Sequence, residues 1–285
     1  MIEIQNPPSF LVREEAHKAA YEHGFRIEVE PDTIFALAYP GWLGYASTTV
    51  RGQLWFARET TPHGLGGRWL LALTHAGVAE ELWSELDKYA AYEQVEVLTA
   101  PEMSWHGSII NTPGVMALAL PSLSTLYQIL TRVYKLSISL PEAPLDQFRK
   151  RTATLPRTTE VERLIVQRVG QDVFRAALME YWNGRCPLTG ITDPALLRAS
   201  HIVRWADCES DAQRLDVHNG LLLSALWDAA FDAGLISFND EGYPLRSSSL
   251  TQEAETALTL DTIKPIILTN LHRQNLAKHR VRYGY

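Results

Sequence analysis

"VHNGLLLSALWDAAFD", residues 217–232, is the stretch on which the second half of this chain turns. Its apolar residues read as a buried helix over 219–233, opening on His218-Asn219-Gly220. Leu221, Leu222, Leu223, Leu226, Trp227 and Phe231 leave only a narrow polar face, and that face carries Asp228 and Asp232. Residues four apart on a helix stand on one side, with Cβ atoms roughly 5–6 Å apart. Two carboxylates that reach one point repel each other and raise a pKa unless a cation lies between them. Oxygen ligands suit Mg²⁺ or Mn²⁺ better than zinc. The plainer reading is a pair of solvated aspartates, and the spacing alone does not separate the two.

Working outward, "LLRASHIVRWAD" (196–207) places His201 in a short β-like apolar run. Alone it reads as a hydrogen-bonded structural histidine. Asn219-Gly220 alone reads as turn and cap chemistry. Together they form an ordered set: a histidine on a strand, Asn219 eighteen residues on, then Asp228 and Asp232 nine and thirteen residues after the asparagine.

In this set the chain resembles the HNH nucleases, whose ββα-metal fold packs two strands against one helix. "FRAALMEYWNGRCPLTGI" resembles the segment before the motif in restriction endonucleases of that family. "HNGLLLSALWDAAFDAGLISF" resembles their core helix and following strand, and "LAKHRVRY" their closing segment. The resemblance spans about 158–285. It implies His201 as general base, Asn219 as the residue that holds the site together, and Asp228 and Asp232 as metal ligands. Ser200 stands where many relatives place an acidic or histidine ligand directly before the base. The inner shell would then lean on Asp228, Asp232, substrate phosphate and water, with Ser200 a poor replacement. The paired cysteines that anchor a structural zinc in many relatives are missing, since Pro-Leu-Thr follows Cys186, so no structural zinc is expected.

The activity so implied is a Mg²⁺- or Mn²⁺-dependent DNA endonuclease of restriction or phage-defence type, leaving 5′-phosphate and 3′-hydroxyl ends. Histidine suits the base role because its ordinary pKa of about 6.5 leaves it mostly neutral at cellular pH. Arg204, Arg185 and Arg280 are candidate phosphate contacts. Double-stranded DNA is the expected partner, and a break in both strands favours a homodimer. A second reading is an HNH-derived DNA-binding module whose site has decayed, for which Ser200 speaks. A third, a colicin-like killing nuclease, lacks a translocation-like segment and a strongly basic charge.

The remainder of the 285 residues sets the frame. The net charge of −7 is unevenly spread: residues 1–145 hold 9 Lys and Arg against 16 Asp and Glu, whereas 146–285 hold 17 of each. The second half is thus less hostile to phosphate than the total suggests. No apolar run is long enough for a bilayer, and "MIEIQNPPSF" lacks the pattern of a secretory signal, so a cytoplasmic protein is expected.

Residues 1–140 read as an α+β domain of no recognised family, for target recognition or dimerisation. Its strands are "FRIEVE" (25–30), "IFALAY" (34–39), "TTVRGQLWFARET" (48–60), "RWLLALTH" (68–75), "VEVLTA" and "VMALAL". Its helices run over 76–92 and onward from Ser122. Trp42, Tyr45, Trp55, Phe56, Trp69 and Trp105 would line a pocket for a flipped base or, on the reading favoured here, fill the core. Residues 141–157, with three prolines and a basic cluster, read as a linker. An α-helical stretch capped by Thr158 or Thr159 follows, bent or broken at Gly170 and ended by Asn183-Gly184. The nuclease domain is 158–285, and the fold class is α+β.

Overall fold

The computed structural model describes residues 2–29, 41–48, 52–61, 67–86, 94–98, 116–156 and 158–285. It divides into two compact units, Met1–Ser137 and Ile138–Tyr285. Both combine helices with antiparallel sheet, which makes the chain α+β.

The first unit is built on one antiparallel sheet. Its strands are β1 (Ile27–Glu28), β2 (Leu43–Ala46), β3 (Gln53–Arg58), β4 (Trp69–Leu73), β5 (Glu96–Val97) and β6 (Met116–Leu120), in the order β1-β2-β3-β4-β6-β5. Side chains alternate across a strand, and here both sides are dry. Trp55, Ala57, Leu70, Ala72, Ala117 and Ala119 pack with Trp42 and Leu98 on one face. The alternate residues Leu54, Phe56, Leu71, Leu73, Leu118 and Leu120 are buried as well. Among the aromatic residues read as either pocket or core, Trp42, Tyr45, Trp55, Phe56 and Trp69 are buried. Trp105 and the strand expected at 34–39 lie outside the described residues.

Among the described residues three helices complete the unit. The helix expected over 76–92 is observed as α2 (Ala76–Leu86), its later part lying outside the described residues. Helix α3 (Leu123–Ser139) starts as read, with the Ser122 hydroxyl accepting the Thr125 N–H at 3.1 Å. Helix α1 (Phe10–Glu22) was not foreseen, because it buries Ala16, Ala19 and Ala20 where pattern reading looks for larger side chains.

In the second unit the stretch read as a linker differs from expectation. Residues Glu142–Thr152 form α4, which buries Pro144, Phe148 and Thr152. A proline in the first turn costs nothing, since that N–H has no partner within the helix. The basic cluster Arg149, Lys150 and Arg151 sits in the last turn, where it suits the helix dipole. Two of the prolines and the charge run that suggested a linker are thus helix start and stop signals.

Helix α5 (Glu160–Tyr181) begins at a capping box between Thr159 and Glu162. It does not break at Gly170, which instead makes room. A Cβ there would sit 2.5 Å from the Trp205 ring, so the glycine lets the following loop lie against the helix. Asn183 and Gly184, both left-handed, end it as read.

The opening stretch is where the structure departs furthest. Val217–Asn219 is a single 3-10 turn, and Gly220–Ser224 is strand β8, so the helix α7 starts only at Ala225 and ends at Asp232. Strand β8 pairs antiparallel with β7 (Leu197–His201), setting His201 opposite Gly220, Ser200 opposite Leu221 and Leu197 opposite Ser224. The three leucines then separate with period two. Leu221 and Leu223 join Trp227, Phe231, Ile236 and Phe238 in one cluster, while Leu222 turns to Cys186 and Leu197. A leucine run buried on both sides shows no period in sequence, so strand and helix look alike there. Each such leucine contributes roughly 1.5–3 kcal/mol of burial. Beyond α7, β9 (Ile236–Phe238) and β10 (Pro244–Arg246) form a hairpin, followed by α8 (Gln252–Leu258) and α9 (Asn270–Tyr283).

Candidate active site

The loop between β7 and β8, with its short helix α6 (Asp211–Leu215), is tied together by one amide. Asn219 is 0% exposed. Its Nδ2 donates to the carbonyls of Val203 at 3.1 Å and Gln213 at 3.2 Å and lies 3.4 Å from Cys208 Sγ. Its Oδ1 accepts the Val203 N–H at 2.8 Å, and its main-chain carbonyl takes the Ile202 N–H at 3.0 Å. The exit from β7 is thus pinned to the entry into β8. An aliphatic residue there would orphan several buried groups at once.

His201 is the last residue of β7. Its Nε2 lies 2.9 Å from the Arg214 carbonyl. A carbonyl only accepts, so Nε2 carries the hydrogen and Nδ1 keeps a lone pair. Arg214 is itself held, by the Trp205 carbonyl at 3.1 Å and the Cys208 carbonyl at 2.7 Å. The imidazole stacks on Phe174 of α5 with ring centroids 3.8 Å apart and meets Trp205 edge-on at 5.5 Å. Burial pushes its pKa down to about 4, against the opposing pull of the Arg214 carbonyl. At neutral pH this histidine is an uncharged ring in one tautomer, able to take a proton.

Ser200 is 2% exposed, and its hydroxyl donates to Asp228 Oδ1 on α7. Asp232 follows one turn later at the end of that helix. Its pKa is raised, first by burial and then by the Asp228 charge, with the Arg204 guanidinium pulling it back. The two carboxylates therefore do feel each other. Successive side chains on a strand point to opposite faces. Ser200 accordingly faces Asp228, whereas the His201 ring lies against α5. Ser200 and the two aspartates are brought together, and His201 stands beside them on the other side of the strand end.

The three arginines fare differently. Arg204 is exposed at the end of α7, where its Nη2 reaches the Tyr283 hydroxyl and lies 3.5 Å from the Asp232 carbonyl. Arg280 holds the Phe238 carbonyl and the Asp240 carboxylate, both at 2.7 Å. Arg185 bonds the Gly190 carbonyl at 3.1 Å. These last two brace loops of the fold. Sequence reading missed Phe174, Arg214 and Tyr283 as parts of the site. Phe174 entered only as the first letter of a segment that resembles the family, and Arg214 acts through its carbonyl, which no side-chain pattern reveals.

Among the described residues no three His, Cys, Asp or Glu side chains converge as a metal cage. The chain offers two hard carboxylates one turn apart, and the pKa of Asp232 is raised by burial and then by the Asp228 charge. A divalent cation fits that donor set, provided substrate and water complete its shell. Both cysteines are buried free thiols.

Residues 186–239 match the model of the HNH endonuclease family, so this segment is similar to an HNH endonuclease domain. HNH nucleases generally use divalent metal ions. No curated protein matches the chain. Among the described residues no helix is long and apolar enough to cross a membrane.

Proposed function

We propose that this protein is a Mg²⁺- or Mn²⁺-dependent DNA endonuclease of restriction or phage-defence type, cutting with its second unit. The observation that carries the reading is the strand end itself. A neutral histidine with an unprotonated Nδ1 adjoins a serine that is bonded to one of two coupled aspartates.

In this reading His201 Nδ1 takes the proton of the attacking water as its oxygen bonds to phosphorus. The P–O3′ bond breaks, and the 3′-oxygen takes a proton from solvent, leaving a 5′-phosphate and a 3′-hydroxyl. Asp228 and Asp232 would hold the divalent ion, which when bound supplies positive charge against that building on the phosphate oxygens. Ser200 fixes the rotamer of Asp228, and Asn219 fixes the backbone on which His201 and the start of β8 are mounted. Arg204 contacts substrate phosphate from the end of α7. A break in both strands takes two copies of a site that cuts one strand, so the proposal includes a pair of chains on duplex DNA. The first unit selects the target, plain or modified.

The test is digestion of plain, methylated and hydroxymethylated duplex DNA with Mg²⁺ or Mn²⁺, followed by mapping of the ends. His201→Ala should lower the cleavage rate by about 10²–10⁴-fold. Full activity in that variant would overturn the assignment of the base. Binding without cutting in the wild type would leave only a DNA-binding module.

A further inference from the structure

The last residues of α9 return to the end of α7, and a single hydroxyl joins them. Tyr283 Oη donates to the Asp232 carbonyl at 2.7 Å and accepts a hydrogen from Arg204 Nη2. A phenol has one hydrogen to give and lone pairs to receive, so both bonds are made at once without conflict. The Arg204 guanidinium lies 5.7 Å from the Tyr283 ring centroid, and that of Arg282 lies 5.9 Å from it. Arg282 is itself tethered to Asp207 at 2.6 Å.

The ring is seated in a place made for it. Gly234, two residues past α7, has φ +69°, and a Cβ there would lie 2.0 Å from the Tyr283 ring. His279, one turn earlier on α9, meets the ring at 4.7 Å. The tyrosine is thus packed on a bare stretch of backbone, with its hydroxyl fixed to the residue that bears a candidate ligand carboxylate.

An exposed arginine normally spreads over many rotamers and loses that freedom when it binds. Arg204 is instead held by the phenol and the end of α7, its Nη2 3.5 Å from the Asp232 carbonyl. We infer that Tyr283 is a positioning residue, which holds the Arg204 guanidinium ready for the substrate phosphate that meets Asp228 and Asp232. This rests on the nuclease reading above and adds to it a role for the closing helix.

The experiment is a double-mutant cycle on the full chain with Tyr283→Phe, Arg204→Ala and the pair. Tyr283→Phe keeps the ring on Gly234 and removes only the hydroxyl. Two quantities are read: affinity for a short DNA duplex without metal across a range of salt, and KM and kcat for cleavage with Mg²⁺. Arg204→Ala should weaken binding about tenfold and reduce the salt slope by about one. Tyr283→Phe should raise KM by roughly three- to tenfold with kcat nearly unchanged, and should add nothing once Arg204 is gone. Additive effects, or a silent Tyr283→Phe, would overturn the inference. If the wild type binds DNA but cuts none, the nuclease reading fails while binding still decides the coupling. A wild type that neither binds nor cuts overturns both.

Discussion

Two acidic features of this molecule form a contrast. In the first unit Glu85 of α2 is buried against Arg132 of α3, which bonds both carboxylate oxygens, one of them from Nε at 2.6 Å. In the second unit Asp228 and Asp232 share one turn of α7, and burial, then the Asp228 charge, raises the pKa of Asp232. The first arrangement is complete, because a fork of donors meets a fork of acceptors and the charges cancel. In the second, the Arg204 guanidinium is turned to a tyrosine hydroxyl and a main-chain carbonyl. The first carboxylate is met by a full opposite charge, whereas Asp228 takes a neutral hydroxyl from Ser200 and the pKa of Asp232 is raised. In the nuclease reading proposed above, a divalent cation is the partner that would favour both carboxylates.

The contrast breaks most sharply through Arg132. Replacing it by leucine strands Glu85 without its fork of donors and should cost about 3–5 kcal/mol of stability, read by urea unfolding. Replacing Glu85 by leucine as well should recover much of that loss, since an apolar pair of similar volume often serves equally well. A loss of under about 1 kcal/mol for Arg132→Leu would mean that the pair behaves as a surface bridge, and the contrast would fall.

Added metal supplies the second test. Mg²⁺ at about 100 times its Kd should stabilise the wild type by about 2.7 kcal/mol, seen as a raised Tm. Asp232→Asn should lose that response and most cleavage while leaving the metal-free Tm equal or slightly higher, because it removes a like charge. A metal-free Tm that falls markedly would show Asp232 to be structural.

Acid gives the smallest and most graded effect. His279 lies against Phe231, takes a hydrogen from Ser237 and donates from Nε2 to the Phe231 carbonyl, and burial pushes its pKa down to about 4. His201 is likewise pushed down to about 4 by burial. Both folded values lie below the unfolded one of about 6.5, so between the two the unfolded chain binds more protons. Their contribution is fully present above pH 6.5 or so and is lost as pH falls toward about 4. For His279 this is on the order of 1–3 kcal/mol. Unfolding of the wild type and of His279→Asn at pH 7 and pH 5 should show a flatter dependence in the variant. Equal slopes would remove His279 from the account.

Not all of this was legible beforehand. The identities and spacing of His201, Asn219, Asp228 and Asp232 pointed to one site before any fold was known. The form of the backbone that carries them did not follow. Leu221, Leu222 and Leu223 read as helix because a strand covered on both sides has no polar residue to mark its period. The segment 141–157 read as a linker because Pro141, Pro144 and the basic cluster mark helix ends as readily as loops. Arg185 and Arg280 looked as available to phosphate as Arg204 did, since a sequence does not show which guanidinium a nearby carbonyl has already engaged.

By itself, then, the order of residues offered candidates: a histidine, an asparagine and two aspartates at the intervals that the family resemblance reads as a base, an organising amide and two hard oxygen ligands. Only the tertiary structure decided how that chemistry is held. Pairing β7 with β8 fixed which face Ser200 and His201 present, and the Arg214 carbonyl fixed the tautomer of the imidazole. The return of α9 put Tyr283 on Arg204, across 79 positions of chain. Spacing along one helix or strand is set by covalent geometry, whereas contacts between distant segments are set by which surfaces bury each other.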